Sequence, residues 1–173
     1  MWIQLGCGDG TFGGATNYAV GTNQIYVANE DFNNDGNPDV VAANANSDNV
    51  SVLLNLGDGT FGAATNYPVG SRARSVATGD FNGDRNRDLV VASLNRSNVA
   101  ILLGTGNGTF GAATNFGVGG QQVSVATGDL DGDGKLDVAV TKLNNDNVSI
   151  LFGIGDGTFG VASDYAVGSS PFS

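Results

Sequence analysis

The chain contains no histidine, a single cysteine (Cys7) and, among its 173 residues, one glutamate (Glu30). Without histidine there is no Ser-His-Asp or Cys-His nucleophilic centre and no histidine-ligated zinc. One cysteine allows no internal disulfide and reads as an incidental thiol. Seven basic residues against seventeen acidic ones leave a net charge of −10. Nucleic acid is therefore not an expected partner, since phosphate binding needs basic patches. No run of 18 apolar residues occurs, so no transmembrane segment is expected. Met1 leads straight into apparent strand rather than through a basic and then apolar leader, so no signal peptide is read. Lys, Arg and Glu, the usual coat of surface helices, are scarce, and no segment carries a helical period.

Glycine is abundant at 28 residues, about twice its usual share of roughly 7%. Val, Ala, Asn and Asp make up much of the rest, a composition that favours short strands joined by tight turns. The fold class expected is all-β.

The chain repeats itself at a constant offset of 49 residues. The words GDGTFG or GNGTFG begin at Gly8, Gly57, Gly106 and Gly155, and V-G pairs close each unit at Val20, Val69, Val118 and Val167. Periods of 40 to 50 residues with several strands each point to propellers or related arrays. In the second unit, SVATGDFN (75–82), DLVVASL (88–94), VAILLG (99–104) and a short segment near ATNFGV read as four strands of an antiparallel meander, one propeller blade. Runs such as VVAA and LVVA are apolar on both faces, as strands are when sheets pack on both sides. The turn words read as tight hairpins, with Phe12, Phe61, Phe110 and Phe159 anchoring the outer strand.

A second motif recurs three times, as DFNNDGNPD (31–39), DFNGDRNRD (80–88) and DLDGDGKLD (129–137). Positions 1, 3, 5 and 9 carry oxygen-bearing side chains in all three. A hard cation such as Ca²⁺ takes six to eight oxygens, and alternating residues of a tight loop can face one centre. Asp and Asn also suit solvated turns, but ten of the sixteen aspartates crowd into these 27 residues, which is repulsive without a cation. An EF-hand is excluded, because position 12 is Ala42, Val91 or Val140 where a bidentate glutamate is needed. The middle loop is the weakest site, with Arg85 replacing glycine and Arg87 adding a second positive charge.

These residues resemble FG-GAP/VCBS-type repeats, the blades of integrin-α-like β-propellers, over essentially the whole chain. The resemblance implies one Ca²⁺ per loop, up to three in all. By that match the ligands are Asp31, Asn33, Asp35 and Asp39; Asp80, Asn82, Asp84 and Asp88; and Asp129, Asp131, Asp133 and Asp137. Backbone oxygens of Asn37, Asn86 and Lys135 complete the sets. It also implies a module that acts outside the cell or on its surface, in adhesion, recognition or assembly.

The expected function is non-catalytic binding of a protein or glycan, with calcium as a structural element. The alternatives are a subunit that assembles with copies of itself into an oligomer or filament, and the propeller part of a secreted carbohydrate-active enzyme. Asp48 and Asp146 read as solvated turn residues, and Glu30, which stands where the other repeats have Gly79 and Gly128, as local charge tuning. Five arginines, Arg72, Arg74, Arg85, Arg87 and Arg96, gather in one unit. Sequons fall at Asn49, Asn95, Asn107 and Asn147.

The units run 22–70, 71–119 and 120–168 within one repeat domain. Residues 1–21 match only the last two strands of a blade, and 169–173 the start of a further first strand. Three and a half blades do not close a ring of four to eight, so the expectation is homo-oligomeric association or a segment of a longer propeller, with a complete, self-contained smaller array as the competing reading. Gln4, standing where the repeats have Leu53, Leu102 and Leu151, suggests a partly exposed face.

Overall fold

The computed structural model of the chain describes residues 1–143, 145–169 and 171. Among these, every regular element is a β-strand. The short strands β1 (Trp2–Ile3) and β2 (Thr16–Asn17) form a two-stranded sheet. Next comes a four-stranded sheet of β3 (Gln24–Glu30), β4 (Asp39–Asn44), β5 (Asn49–Leu53) and β6 (Thr65–Pro68). The second holds β7 (Ala73–Gly79), β8 (Asp88–Ser93), β9 (Asn98–Leu102) and β10 (Thr114–Gly117). The third holds β11 (Gln122–Gly128), β12 (Asp137–Lys142), β13 (Asn147–Leu151) and β14 (Ser163–Ala166). Strands pair with their sequence neighbours, all antiparallel, so each sheet is the meander of one propeller blade. The expected start of a further strand over 169–173 lies mostly outside the described residues.

The blades stack through their first strands, with β7 between β3 and β11. β8 is buried along its whole length. Its side chains alternate between two cores, as a two-residue period dictates. Leu89 and Val91 join Val41, Val50 and Phe32 on one side, while Val90 and Ala92 join Ile101, Val138 and Val140 on the other. That is why LVVA shows no polar face. The outer strands β6, β10 and β14 are largely exposed, and Gln4 is exposed as expected.

The turn words do more than close hairpins. In the second blade Gly106 and Gly108 have positive φ on either side of Asn107. Asn107 Oδ1 accepts hydrogen bonds from the Thr109 N–H and hydroxyl. The result is a tight five-residue loop bounded by the Gly104–Phe110 bridge. The loop is pressed against the blade before it, where the Gly108 N–H donates to Phe32 O at 2.9 Å. A Cβ on Gly108 would meet the Leu54 side chain at 2.6 Å and displace it, in addition to the positive φ that favours glycine there. The third blade repeats the bond from Gly157 to Phe81 O.

Phe110 packs edge-on to Phe32 and Tyr67, and Phe159 to Phe81 and Phe116, again across blade boundaries. Both phenylalanines are buried, but Phe12 is 69% exposed. The phenylalanine anchors the next blade onto the previous one, so it is sheltered only where a previous blade supplies the partners.

Candidate metal centres

Each acidic loop joins the first and second strands of its blade, and all three are wound in the same way. The aspartate at position 1 gathers backbone N–H groups from the loop ahead of it. Asp31 accepts from Asp35 and Gly36, Asp80 from Gly83 and Arg85, and Asp129 from Gly132 and Gly134, at 2.7 to 3.2 Å. The side chain at position 3 accepts from the N–H at position 5, and position 5 in turn from position 7. The Asn33, Asp35 and Asn37 chain is matched by Asn82, Asp84 and Asn86 and by Asp131, Asp133 and Lys135.

Position 9 is a structural joint as well as a candidate ligand. Asp39, Asp88 and Asp137 are buried at the start of β4, β8 and β12. Each uses one oxygen for the N–H at loop position 2 and the other for an N–H beyond the third strand. For Asp88 these donors are Phe81 at 2.8 Å and Gly104 at 2.7 Å. Asp39 binds Phe32 and Asn55 in this way, and Asp137 binds Leu130 and Gly153.

In the third loop, carboxylate oxygens of Asp129, Asp131 and Asp137 lie within 4.8 Å of one another. Asp133 is not one of this group, and its Oδ2 accepts from Lys135 Nζ at 2.8 Å. That bond first, and the Lys135 N–H next, hold its carboxyl below the ordinary range. Hydrogen bonds from the Asn37 N–H and from Asn33 lower Asp35 likewise. Burial raises Asp39, and it pushes Asp88 up to about 6 despite two hydrogen bonds, with the charges of Asp84 and Asp80 adding to the rise. Carboxylates crowded this closely repel one another unless a cation neutralises them. The donor set is all oxygen, from carboxylates and amides, which suits a hard cation and not a thiophilic one.

The middle loop departs as its sequence suggests. Arg85 adopts φ +69°, where Gly36 has +85° and Gly134 +86°. A non-glycine residue there costs roughly 1 kcal/mol. Arg87 is met from the neighbouring blade, with Nε 3.6 Å from Glu30 Oε1. Asn34 of the first loop donates to Asn86 of the second at 3.3 Å and to Gly106 O at 3.2 Å. Glu30 thus meets a residue of the neighbouring loop across a blade boundary.

Two further features escaped the reading of the sequence. Asp48 is not simply solvated, since its carboxylate accepts the Arg72 N–H at 2.8 Å and so ties one blade to the next. Lys142 is buried, with Nζ 2.7 Å from both Val118 O and Asp164 Oδ1. The corresponding positions hold Asn44 and Asn66 in the first blade, and Ser93 and Asn115 in the second. A neutral pair has become a charged one, which comparing the repeats position by position could have revealed. The sequons at Asn95 and Asn107 are exposed, whereas Asn49 and Asn147 open strands and are half-buried.

Stacked four-stranded meanders joined through their inner strands define a β-propeller module, here with oxygen-rich loops at one end of each blade. A profile of the FG-GAP-like repeat matches residues 31–91 and again 80–140, and the chain belongs to that family. No curated protein sequence matches it. Among solved structures, an Agrocybe aegerita lectin described as recognising non-reducing terminal N-acetylglucosamine superposes with TM-score 0.63 at 24% identity, over 94% of this chain and 45% of the lectin. A Photorhabdus luminescens Tc holotoxin pore superposes with TM-score 0.50 at 21% identity, over 92% of this chain and 8% of that one. These likenesses concern the fold. The chain spans less than half the length of either protein.

Proposed function

We propose that the chain is a calcium-stabilised, non-catalytic propeller module that works outside the cell or at its surface and binds a glycan or a protein. The observation that carries the calcium assignment is the convergence of Asp129, Asp131 and Asp137 within 4.8 Å beside a buried carboxylate joint. Asp129, Asp131, Asp133 and Asp137 with the Lys135 carbonyl would hold the third ion. Asp31, Asn33, Asp35, Asp39 and the Asn37 carbonyl would hold the first, and Asp80, Asn82, Asp84, Asp88 and the Asn86 carbonyl the second. A bound cation neutralises each carboxylate set and so adds its binding free energy to the folded state. Loops of this charge suit the roughly 10⁻⁴ to 10⁻³ M affinity of extracellular calcium modules.

The non-catalytic reading rests on the duties the acids already have. Ten aspartates build the three loops, Asp9, Asp58 and Asp156 cap turn words, Asp48 joins two blades and Asp164 neutralises Lys142. Rigid blades with variable loops suit recognition, and the lectin and toxin folds are precedents for glycan and protein contacts. Self-association is a second reading, favoured by exposed Phe12 and Leu130, since Phe110 and Phe159 are buried at the positions equivalent to Phe12, and Phe32 and Phe81 at those equivalent to Leu130.

Thermal melts with millimolar calcium and with EDTA test the main reading. Chelation is expected to lower Tm, and Asp129→Asn to remove most of the calcium response of the third loop. An unchanged melt in EDTA rejects the calcium assignment. Light-scattering mass in calcium separates monomer from self-assembled forms.

A further inference from the structure

We propose that the rim of the middle blade opposite the metal loops is a binding groove for an acidic polysaccharide carrying uronate groups. The inference deepens the reading of the module as a binding platform and rests on it. β7 begins just after Arg72, carries Arg74 as its second residue and ends just before Asp80, and β8 returns to the turn that carries Arg96. The three arginines therefore lie at one end of the blade and its acidic loop at the other, about 20 Å away for a strand of this length.

The arginines are peculiar to this blade. Arg72 corresponds to Asn23 and Gln121, Arg74 to Ile25 and Val123, and Arg96 to Ser47 and Asn145. Three cations thus replace neutral side chains together, on a chain whose net charge is −10. The backbone around two of them recurs in other blades, so the side chains alone differ: Ile25 and Val123 occupy the same bulge that Arg74 does. Arg72 sits at φ +57°, where the first blade uses asparagine at φ +59°. Arg74 is the extra residue of a β-bulge between Ala73 and Ser75, and bulges re-aim side chains at sheet rims. Arg96 lies across Gly70, where a Cβ would come within 3.1 Å of its Nε.

Three hollows adjoin on this rim through shared lining residues. The first, about 50 Å³, is framed by Arg72, Arg74 and Leu94. The second, about 460 Å³, shares Leu94 and adds Arg96, Asn95 and Gln121. The third, about 310 Å³, shares Arg96 and adds Pro68 and Asn115. A polymer running through them meets guanidinium groups, which pair with carboxylates in a planar fork, then side-chain amides suited to hydroxyls and apolar patches suited to sugar faces. Nucleic acid, with a charge on every residue, is disfavoured by the acidic remainder of the chain. A uronate polymer has fewer charges and more hydroxyls.

The test uses a fluorescent hyaluronan decasaccharide, in which every second sugar is a glucuronate, with polarisation read in saturating calcium. A neutral chito-oligosaccharide and poly-glutamate serve as comparisons. The protein should bind the decasaccharide, bind it more weakly as salt rises, and ignore the chito-oligosaccharide. Arg72→Asn, Arg74→Ile and Arg96→Ser combined, the residues the first blade carries, should weaken binding about tenfold or more while leaving the calcium-dependent melt in place. If the triple variant does not fold, Arg72→Asn and Arg96→Ser singly, both at exposed positions, should each weaken binding. No binding, or binding unchanged in the variants, overturns the proposal, and equally tight poly-glutamate makes the groove a site for acidic peptide instead. The calcium melt reports on the loops and not on this rim, so either reading can fail alone.

Discussion

The ring of Phe110 meets that of Phe32 edge-on, centroids 5.4 Å apart and planes at 72°, although the two belong to successive blades. One lies in a turn word and the other in an acidic loop, so the two repeated motifs of the sequence are halves of a single clasp. Phe110→Ala should cost about 3 kcal/mol or more, as large core truncations do, whereas Phe12→Ala should stay within about 0.5 kcal/mol. Urea unfolding of the two variants checks this. Equal effects would mean that the clasp is not where the blades gain their cohesion.

Arg85 holds a backbone conformation that glycine holds in the other two loops. Arg85→Gly should relieve roughly 1 kcal/mol of strain and remove a cation from the middle site. Calorimetric titration should then show tighter calcium binding at one site, with the other two unaffected. A variant that binds calcium no better than the parent contradicts the assignment of that loop.

Asp88 is pushed up to about 6 by burial, with Asp84 and Asp80 adding to it. In an unfolded chain an aspartate titrates near 3.9. The folded, metal-free protein therefore keeps this proton longer than the unfolded chain does. Its contribution to stability falls as pH rises from about 4 to about 6. Carboxylates held low, such as Asp35, work in the opposite sense, so comparison with Asp88→Asn isolates the effect. In EDTA, the stability difference between parent and variant should shrink across that interval. A difference that grows with pH would reverse the sign of the argument.

Lys142 is 2% exposed in its side chain and Asp164 is 51% exposed. Removing the acid strands a buried ammonium, while removing the lysine leaves a carboxylate that water can reach. Asp164→Asn should therefore destabilise by about 2 to 4 kcal/mol, and Lys142→Met by clearly less. Lys142→Asn with Asp164→Asn, which restores the first blade's pair, should recover part of the loss in a double-mutant cycle. Equal single effects would indicate that the pair is solvated as a whole.

Much of this architecture was legible in the sequence, because it is written in periods. The 49-residue offset locates the blades, the doubly apolar LVVA announces a strand between two cores, and the spacing of Asp129, Asp131 and Asp137 foretells their convergence. What stayed hidden joins different periods. Nothing local to GNGTFG says that Gly108 bonds Phe32 O, or that Asp48 receives the Arg72 N–H, since both partners come from another repeat. Glu30 looked like a departure from a glycine pattern until Arg87 was found facing it. The Lys142–Asp164 exchange was within reach, but it shows only when positions far apart within a unit are compared together.

β8 serves two cores with alternate residues, and this limits how the chain can change its length. Adding one residue within that strand would turn Leu89 and Val91 toward the wrong neighbour and disrupt both cores at once. Adding a whole unit disturbs neither, because each new boundary repeats a clasp that already exists. Growth by duplication of entire blades is thus the change in length this stack accepts, and the unbroken spacing of 49 is what such a history leaves behind.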